Sequence, residues 1–142
     1  MLSGMIFVLA CSGSKRAVER CQAQDMYTGS IFLKGRAIAE AHGVPFKILS
    51  AKYGLIEPTD EIDIYNERFK GQGDRPIPPE PLHGFFVGGK DYFARYPSPR
   101  FKGLVPSTTI GFMLQNLQYL IDNPDVTKAM LERKQQAYNA SL

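Results

Sequence analysis

The first clear pattern along the chain is a continuous apolar run, Met5 to Ala10, which ends at the polar cluster Cys11 to Lys15. A short run that is apolar at every position is typical of a strand buried on both faces. Apolar residues then recur at helical spacing and predict a helix over about Ser30 to His42. Phe46 to Leu49 predicts a second strand. Strand, helix and strand in this order are typical of a βαβ unit with parallel strands.

The middle of the chain carries many helix and sheet breakers. Residues Gly71 to Pro81 are rich in glycine and proline and predict an exposed loop. Phe85 to Val87 predicts a third strand. We expect Gly88 and Gly89 to form a tight turn after it, opening a short helix that carries Tyr92.

The C-terminal part predicts one more strand and two helices. The strand is expected around Gly103 to Pro106. Thr108 or Thr109 would cap a helix running to Asp122, and Pro124 would occupy the first position of the last helix. Tyr119 and Met130 could remain partly exposed on these helices, which makes a homodimer contact one expectation. The alternation of strands and helices predicts an α/β fold with a mainly parallel central sheet.

Polar turns follow each of the first three predicted strands. They span Cys11 to Lys15, Ser50 to Leu55, and Gly88 to Tyr92. The carboxyl ends of parallel strands meet at one edge of a sheet, where open α/β folds bind their ligands. The pattern therefore predicts a single cleft walled by these three turns.

Length and charge narrow the functional class. A chain of 142 residues predicts a single domain over residues 1–142. The formal charge is +3, which permits an anionic partner such as a nucleotide or nucleic acid without requiring one. The longest apolar run is far short of the ~20 residues that cross a bilayer, so no membrane role is expected. No secretory signal precedes Cys11 and Cys21, which predicts reduced thiols and a cytoplasmic protein.

The first turn offers the groups that hold an oxyanion. Cys11, Ser12, Gly13, Ser14 and Lys15 supply backbone N–H groups, two hydroxyls and an ammonium within five residues. The spacing is not that of a Walker motif. A solvated turn, with Lys15 in water and Cys11 packed as a small apolar side chain, remains the alternative.

The second turn repeats this chemistry and adds an aromatic ring. Ser50 and Lys52 supply a hydroxyl and an amine, Tyr53 could stack on a base, and Gly54 turns the chain. A desolvated lysine could act as a nucleophile. The alternative is that the Lys52 stem lies on the surface while Tyr53 packs against the sheet.

Other candidate residues lie between the turns. Tyr27 and Ser30 could cap the first helix or face the ligand. Asp63 lies in an acidic stretch that precedes Tyr65 and Asn66, and its carboxylate could be a general base or simply hydrated. The Cys and His residues are too few and scattered for an ordinary zinc site, so neither a metal nor a cofactor is predicted. Cys11 is not expected to be a catalytic nucleophile, because His42 and His83 are its only possible imidazole partners and the predicted strands and turns place neither near it.

Several of these motifs together suggest a family resemblance. Cys-Ser-Gly-Ser-Lys at 11–15, the segment 27–32 entering a helix, and Ser-Ala-Lys-Tyr-Gly-Leu at 50–55 resemble a group of bacterial and phage proteins of unknown function. The Gly88-Gly89 turn with Tyr92 also fits. This group is similar to the uracil-DNA-glycosylase-like superfamily, which includes archaeosine synthase and the protein YaaA. The resemblance implies a three-layer α/β fold and a cleft that handles a nucleobase or nucleic acid.

The resemblance leaves the reaction open. Members of the superfamily cleave glycosidic bonds, modify bases or bind DNA. Where such sequences commonly have Tyr followed by an acidic residue, this chain has Tyr65-Asn66, and an amide cannot act as a general base. Asn66 could still orient a water molecule or hydrogen-bond to a base edge.

The sequence therefore leaves three functional hypotheses. The first is a glycosylase-like or base-modifying enzyme, with Lys52, Ser50, Asp63 or Asn66 at the reacting centre. The second is a nucleic-acid-binding module without turnover, with a basic rim of Lys15, Lys52, Lys90, Arg95, Arg100 and Lys102. The third is a hydrolase or transferase that acts on small nucleotides.

Overall fold

The structure, a computed structural model, describes residues 2–66, 82–88, 103–106 and 113–142, with backbone only for 103–106 and 113–115. Within these ranges the strands are β1 (Met5–Ala10), β2 (Arg20–Gln22), β3 (Phe46–Ser50), β4 (Gly54–Ile56), β5 (Glu61–Asp63), β6 (His83–Val87) and β7 (Gly103–Pro106). The helices are α1 (Ala23–Met26), α2 (Ser30–Ala41), α3 (Met113–Asp122) and α4 (Pro124–Ser141).

The central sheet has the strand order β4-β3-β1-β6-β7. β1 pairs in parallel with β3 on one side and with β6 on the other, and β7 continues the parallel arrangement beyond β6. All six residues of β1 are buried, as its continuous apolar run predicts for a central strand covered on both faces. The predicted α/β class and mainly parallel sheet are confirmed.

Helix α2 packs closely on one face of the sheet because it has a glycine at the contact. A Cβ at Gly35 would lie 2.7 Å from Val87 Cγ1 and 2.9 Å from Leu9 Cδ2. Leu9 and Val87 are direct neighbours in the register of β1 and β6. The helix axis therefore approaches the sheet more closely than a larger residue would allow.

The first predicted helix and the second predicted strand correspond to α2 and β3 of the structure. α2 begins at Ser30, as predicted, and ends at Ala41, with His42 at its C-cap. Gly43 follows with φ +67°, a left-handed conformation that favours glycine and ends the helix. Strand β3 begins at Phe46 as predicted and extends one residue further, to Ser50.

Two short antiparallel pairings correct the expected loops. Gly54 and Leu55, predicted to lie in a turn, begin β4, which pairs antiparallel with β3. Glu61 and Asp63, expected in an acidic loop, lie in β5, which forms a two-stranded antiparallel sheet with β2. Strands of three residues are too short to show a periodicity in the sequence. The sequence therefore does not indicate that Arg20 of β2 lies opposite Asp63 of β5.

The C-terminal helices follow the predicted boundary at Asn123. α3 ends at Asp122 and α4 has Pro124 at its start. Tyr119 is 53% exposed, and the predicted dimer contact stays a prediction. The predicted loop at 71–81, the helix after Gly89 and the caps at Thr108 or Thr109 lie outside the described residues. Among the helices that the structure describes, none is long and apolar enough to span a membrane.

Candidate functional site at the carboxyl edge of the sheet

The carboxyl ends of three parallel strands lie side by side. The Cys11 N–H, just after β1, donates a hydrogen bond of 3.0 Å to the Leu49 carbonyl near the end of β3. On the other side, a Cβ at Gly88 would lie 2.7 Å from Ala10 Cβ. The end of β1 is therefore flanked by the ends of β3 and β6, and the close approach of Ala10 to position 88 leaves no room for a side chain there.

The loop after β1 is fastened to the segment that enters α2. The Thr28 N–H donates to the Ser14 carbonyl at 3.0 Å, and the Arg16 N–H donates to the Met26 carbonyl at 2.7 Å. The Ser12 hydroxyl accepts the Gly29 N–H at 3.1 Å and donates to the Ser14 carbonyl at 2.6 Å. These bonds fix the polar cluster Cys11–Lys15 against the amino end of α2.

A buried hydroxyl cluster of Ser50, Tyr65 and Tyr27 lies behind this loop. The Ser50 hydroxyl accepts the backbone N–H groups of Lys52 (3.2 Å) and Tyr53 (3.0 Å) and donates to the Tyr65 hydroxyl at 2.8 Å. The Tyr65 hydroxyl lies 2.6 Å from that of Tyr27. Their exposed fractions are 0% for Ser50, 8% for Tyr65 and 1% for Tyr27. The cluster therefore joins three segments in the interior, with each hydroxyl hydrogen-bonded.

Burial keeps the acidic groups of this cluster protonated. It raises the pKa of Tyr27 to about 12 and raises the pKa of Tyr65 further above its ordinary value. Burial also raises the pKa of the Cys11 thiol, although hydrogen bonds and the Lys15 charge partly oppose it. At neutral pH these groups are neutral, so Cys11 is a poor nucleophile there.

Lys15 places a positive charge at the edge of the hydroxyl cluster. Its ammonium lies 4.5 Å from the centroid of the Tyr65 ring and 6.0 Å from that of Tyr27. Among the described residues no carboxylate forms an ion pair with Lys15. A half-buried ammonium held by aromatic rings and without a counter-ion attracts anions.

The Tyr53 side chain connects the second turn to Asp63 in β5. The Tyr53 hydroxyl accepts the Asp63 N–H at 3.3 Å and lies 3.4 Å from the Asp63 carbonyl. Its half-buried ring meets Tyr65 edge-on, with centroids 5.7 Å apart. Lys52 is exposed, with its ammonium 5.3 Å from the Tyr53 ring centroid. The turn thus presents one amine and one aromatic surface beside the hydroxyl cluster.

The candidate general bases lie outside the cluster. The Asp63 carboxylate accepts a hydrogen bond of 2.9 Å from Arg20, whose guanidinium also lies 3.8 Å from Glu61. Asn66 is exposed and hydrogen-bonds to no residue in the described ranges. Within the part of the chain that the structure describes, no carboxylate hydrogen-bonds to the hydroxyls of the Ser50–Tyr65–Tyr27 cluster.

The remaining candidates are distributed along the same edge. Gly13 and Ser14 are exposed on the first loop. Ser30 is exposed as the first residue of α2, and Gly29 is the N-cap, so neither Tyr27 nor Ser30 caps this helix as one interpretation expected. Gly54 has φ +80° and is buried at the start of β4. Gly89 and Tyr92 lie outside the described residues, as do Lys90, Arg95, Arg100 and Lys102.

Sequence reasoning missed the partnership of Tyr27 with Tyr65 and the ion pair of Arg20 with Asp63. The two tyrosines are 38 residues apart, and no periodicity links them. A polar residue at the end of a buried strand, Ser50, was the available signal that a hydrogen-bonding partner must lie opposite.

Two further observations bear on ligands. The described residues contain no group of His, Cys, Asp and Glu that could hold a metal ion. An open cleft of about 790 Å³ lies at the other edge of the sheet, lined by Leu2 and Ser3 before β1, His42 and Gly43 after α2, and Lys128 and Glu132 of α4. Its lining shares no residue with the candidate site.

Comparison with known proteins identifies a family. Residues 6–76, half of the chain, match the model of a family of unknown function, DUF6884. No curated protein and no solved structure matches the chain. The matched segment includes the loop after β1, the turn after β3 and all three residues of the hydroxyl cluster.

Proposed function

The chain belongs to the DUF6884 family, whose function is unknown, and from the chemistry of its own site we propose that it is a nucleobase-directed enzyme. The enzyme is glycosylase-like or base-modifying and binds a nucleotide or nucleic acid at the carboxyl edge of the sheet. Its fold is proposed to be the three-layer arrangement of the uracil-DNA-glycosylase-like superfamily. A parallel sheet with polar loops at one edge supports this assignment.

The observation that carries the proposal is the position of the Lys15 ammonium, 4.5 Å from the Tyr65 ring centroid and without a described carboxylate partner. The exposed Gly13 and Ser14 lie on the same loop. The amino end of α2, whose N-cap residue Gly29 has no side chain to cap the helix, adds a favourable dipole for an anion. In the proposal, Lys15 and this loop hold a phosphate group.

The second turn is proposed to contact the base. The half-buried ring of Tyr53 offers a stacking surface, and the Asn66 amide can both donate and accept a hydrogen bond at a base edge. Lys52 is the candidate for the reacting centre because its amine is accessible at this edge of the sheet; since the lysine is exposed, a bound substrate would have to supply the desolvation that activates an amine as a nucleophile. Ser50 is proposed to act through Tyr65, since it is buried with its hydroxyl engaged. The Asp63 carboxylate could act as a general base only after its ion pair with Arg20 is broken.

A binding and base-release experiment tests this proposal. Single-stranded oligonucleotides with normal and modified bases would be incubated with the wild type, Lys15→Ala, Lys52→Ala and the control Lys128→Ala, which removes an exposed lysine from α4. We expect Lys15→Ala to weaken binding roughly 10- to 100-fold, since hydrogen bonds to charged groups contribute about 1.5–3 kcal/mol. Lys52→Ala should abolish base release while binding persists, and Lys128→Ala should match the wild type.

Two observations favour a second candidate, a binding module without turnover. Asp63 is paired with Arg20, and position 66 has an amide where a carboxylate would serve as base. In that case the protein would bind oligonucleotides with an affinity that falls steeply with salt, and no substrate would release a base. Competition by free nucleotides against oligonucleotides distinguishes both candidates from an enzyme that acts on small nucleotides.

A further inference from the structure

Within the described residues, helix α4 packs on the rest of the protein through a stripe that contains both polar and apolar side chains. Its buried residues are Thr127, Leu131 and Gln135, which follow one another at intervals of four along one face. Leu131 is the one apolar side chain among these three. Met130 is partly buried against the same core, and the polar residues Thr127 and Gln135 contribute hydrogen-bonding contacts to the attachment of α4 beside this apolar packing.

The contact at the C-terminal half of α4 is made with His83, the first residue of β6. His83 is 3% exposed, and its Nε2 lies 3.3 Å from Gln135 Oε1. The imidazole stacks on the Tyr138 ring with centroids 3.9 Å apart and planes 10° apart. One buried ring therefore receives two contacts from two successive turns of the helix.

The hydrogen bonds around Gln135 select one protonation state of this ring. The Gln135 side-chain N–H donates to Asn139 Oδ1 at 3.0 Å, which leaves Gln135 Oε1 to face His83 as an acceptor. His83 must therefore carry its proton on Nε2. Its Nδ1 is buried and has no hydrogen-bond partner among the described residues. A second proton, on Nδ1, would place a charged N–H where no described group accepts it.

We propose that protonation of His83 releases helix α4 from the sheet in mildly acidic conditions. The titratable groups that face the ring from α4 are Lys134, whose positive charge opposes protonation of the imidazole, and Tyr138, whose ring stacks on it. In the sheet, His83 pairs with Met5 of β1 on one side and with Gly103 of β7 on the other, and neither residue has an ionisable side chain. No described carboxylate forms an ion pair with His83.

The released state of α4 takes up the proton on His83 more readily than the docked state does. Burial lowers the pKa of His83 in the docked state below its ordinary value of 6.5. In the released state the ring is in water and titrates near that value. Docking is therefore complete above about pH 6.5 and weakens as the pH falls from there towards the lowered pKa, by up to about tenfold per pH unit for one proton.

Amide hydrogen exchange at about pH 7.5 and about pH 5.5, corrected for the intrinsic exchange rate, tests this proposal. In the wild type, protection of the α4 amides should fall by several-fold at the lower pH while protection of β1 does not. His83→Phe keeps a stacking ring that cannot take up a proton, and its α4 protection should not change with pH. The control His42→Gln removes the other histidine and should retain the wild-type pH dependence.

Two results would overturn the proposal. One is unchanged α4 protection in the wild type, and the other is an equal loss of protection in His83→Phe. Should His83→Phe not fold, an NMR titration of the wild-type imidazole decides the question. A His83 pKa below 6.5, together with acid-weakened α4 protection, supports the switch, whereas a His83 pKa at or above 6.5 rules it out.

Discussion

The Ser50 hydroxyl donates a hydrogen bond of 2.8 Å to the Tyr65 hydroxyl, and both groups are buried. This bond joins the end of β3 to the segment that follows β5. Because Ser50 also accepts two N–H groups of the turn after β3, one hydroxyl fixes the turn and the tyrosine together. Lys15 lies over the ring of that tyrosine. The candidate site is therefore preorganised by residues that a ligand need not touch.

Replacing Ser50 by alanine should destabilise the protein. Ser50→Ala leaves the N–H groups of Lys52 and Tyr53 without their acceptor and removes the donor to Tyr65. We expect a loss of about 1–3 kcal/mol in the free energy of unfolding, measured by urea denaturation. Ser3→Ala, at an exposed position, is the control and should change stability by less than about 0.5 kcal/mol. Equal effects of the two substitutions would refute the buried cluster.

Two glycines near the first loop should differ sharply in their tolerance of a methyl group. A Cβ at Gly29 would lie 2.5 Å from Ser12 Cβ, whereas a Cβ at Gly13 would meet nothing within 4 Å. Gly29→Ala should push the loop away from α2 and cost about 1–3 kcal/mol, measured by thermal or urea unfolding. Gly13→Ala should leave stability almost unchanged. A tolerated Gly29→Ala would show that the loop is not held against the helix.

Stability should fall in alkaline solution because of the buried phenols. Burial raises the pKa of Tyr27 to about 12, while an unfolded tyrosine titrates near 10. Its contribution is therefore fully present below about pH 10 and is lost as the pH rises from about 10 to about 12. Urea denaturation across this range should show a shallower loss for Tyr27→Phe than for the wild type, by at most about 1.4 kcal/mol per pH unit. Parallel profiles for the two proteins would contradict the buried position of this hydroxyl.

Alkylation of Cys11 should report occupancy of the site. Burial raises the pKa of this thiol, so iodoacetamide should modify it more slowly at neutral pH than it modifies a free cysteine. A nucleotide bound beside Lys15 should slow the reaction further. Cys21, which lies in β2, is the internal control and should react at the same rate with and without the ligand. Mass spectrometry of the modified peptides gives both rates in one sample.

The sequence predicts the parts of the fold that depend on long apolar patterns. The run at 5–10 identifies the central strand, and the spacing of apolar residues identifies α2 to within one residue of its end. The polar residues after these strands then lie at one edge because parallel strands share a direction. This much follows from periodicity and chain direction.

The pairings that complete the site could not be predicted in the same way. β2 and β5 have three residues each, and the contact of Tyr27 with Tyr65 spans 38 residues of sequence. Such contacts depend on tertiary packing rather than local propensity. Asp63 illustrates the consequence, since its residue type suggested a general base while its position across from Arg20 engages it in an ion pair.

NMR chemical-shift mapping with a nucleoside monophosphate tests the central claim most directly, because it locates the ligand without assuming a reaction. The nucleotide should shift the amides of Cys11–Lys15 and Ser50–Tyr53 together, and Lys15→Ala should weaken that response at least about tenfold. Shifts confined to the cleft beside His42 and Gly43, or no saturable shifts at millimolar nucleotide, would contradict a nucleobase site at the carboxyl edge of the sheet.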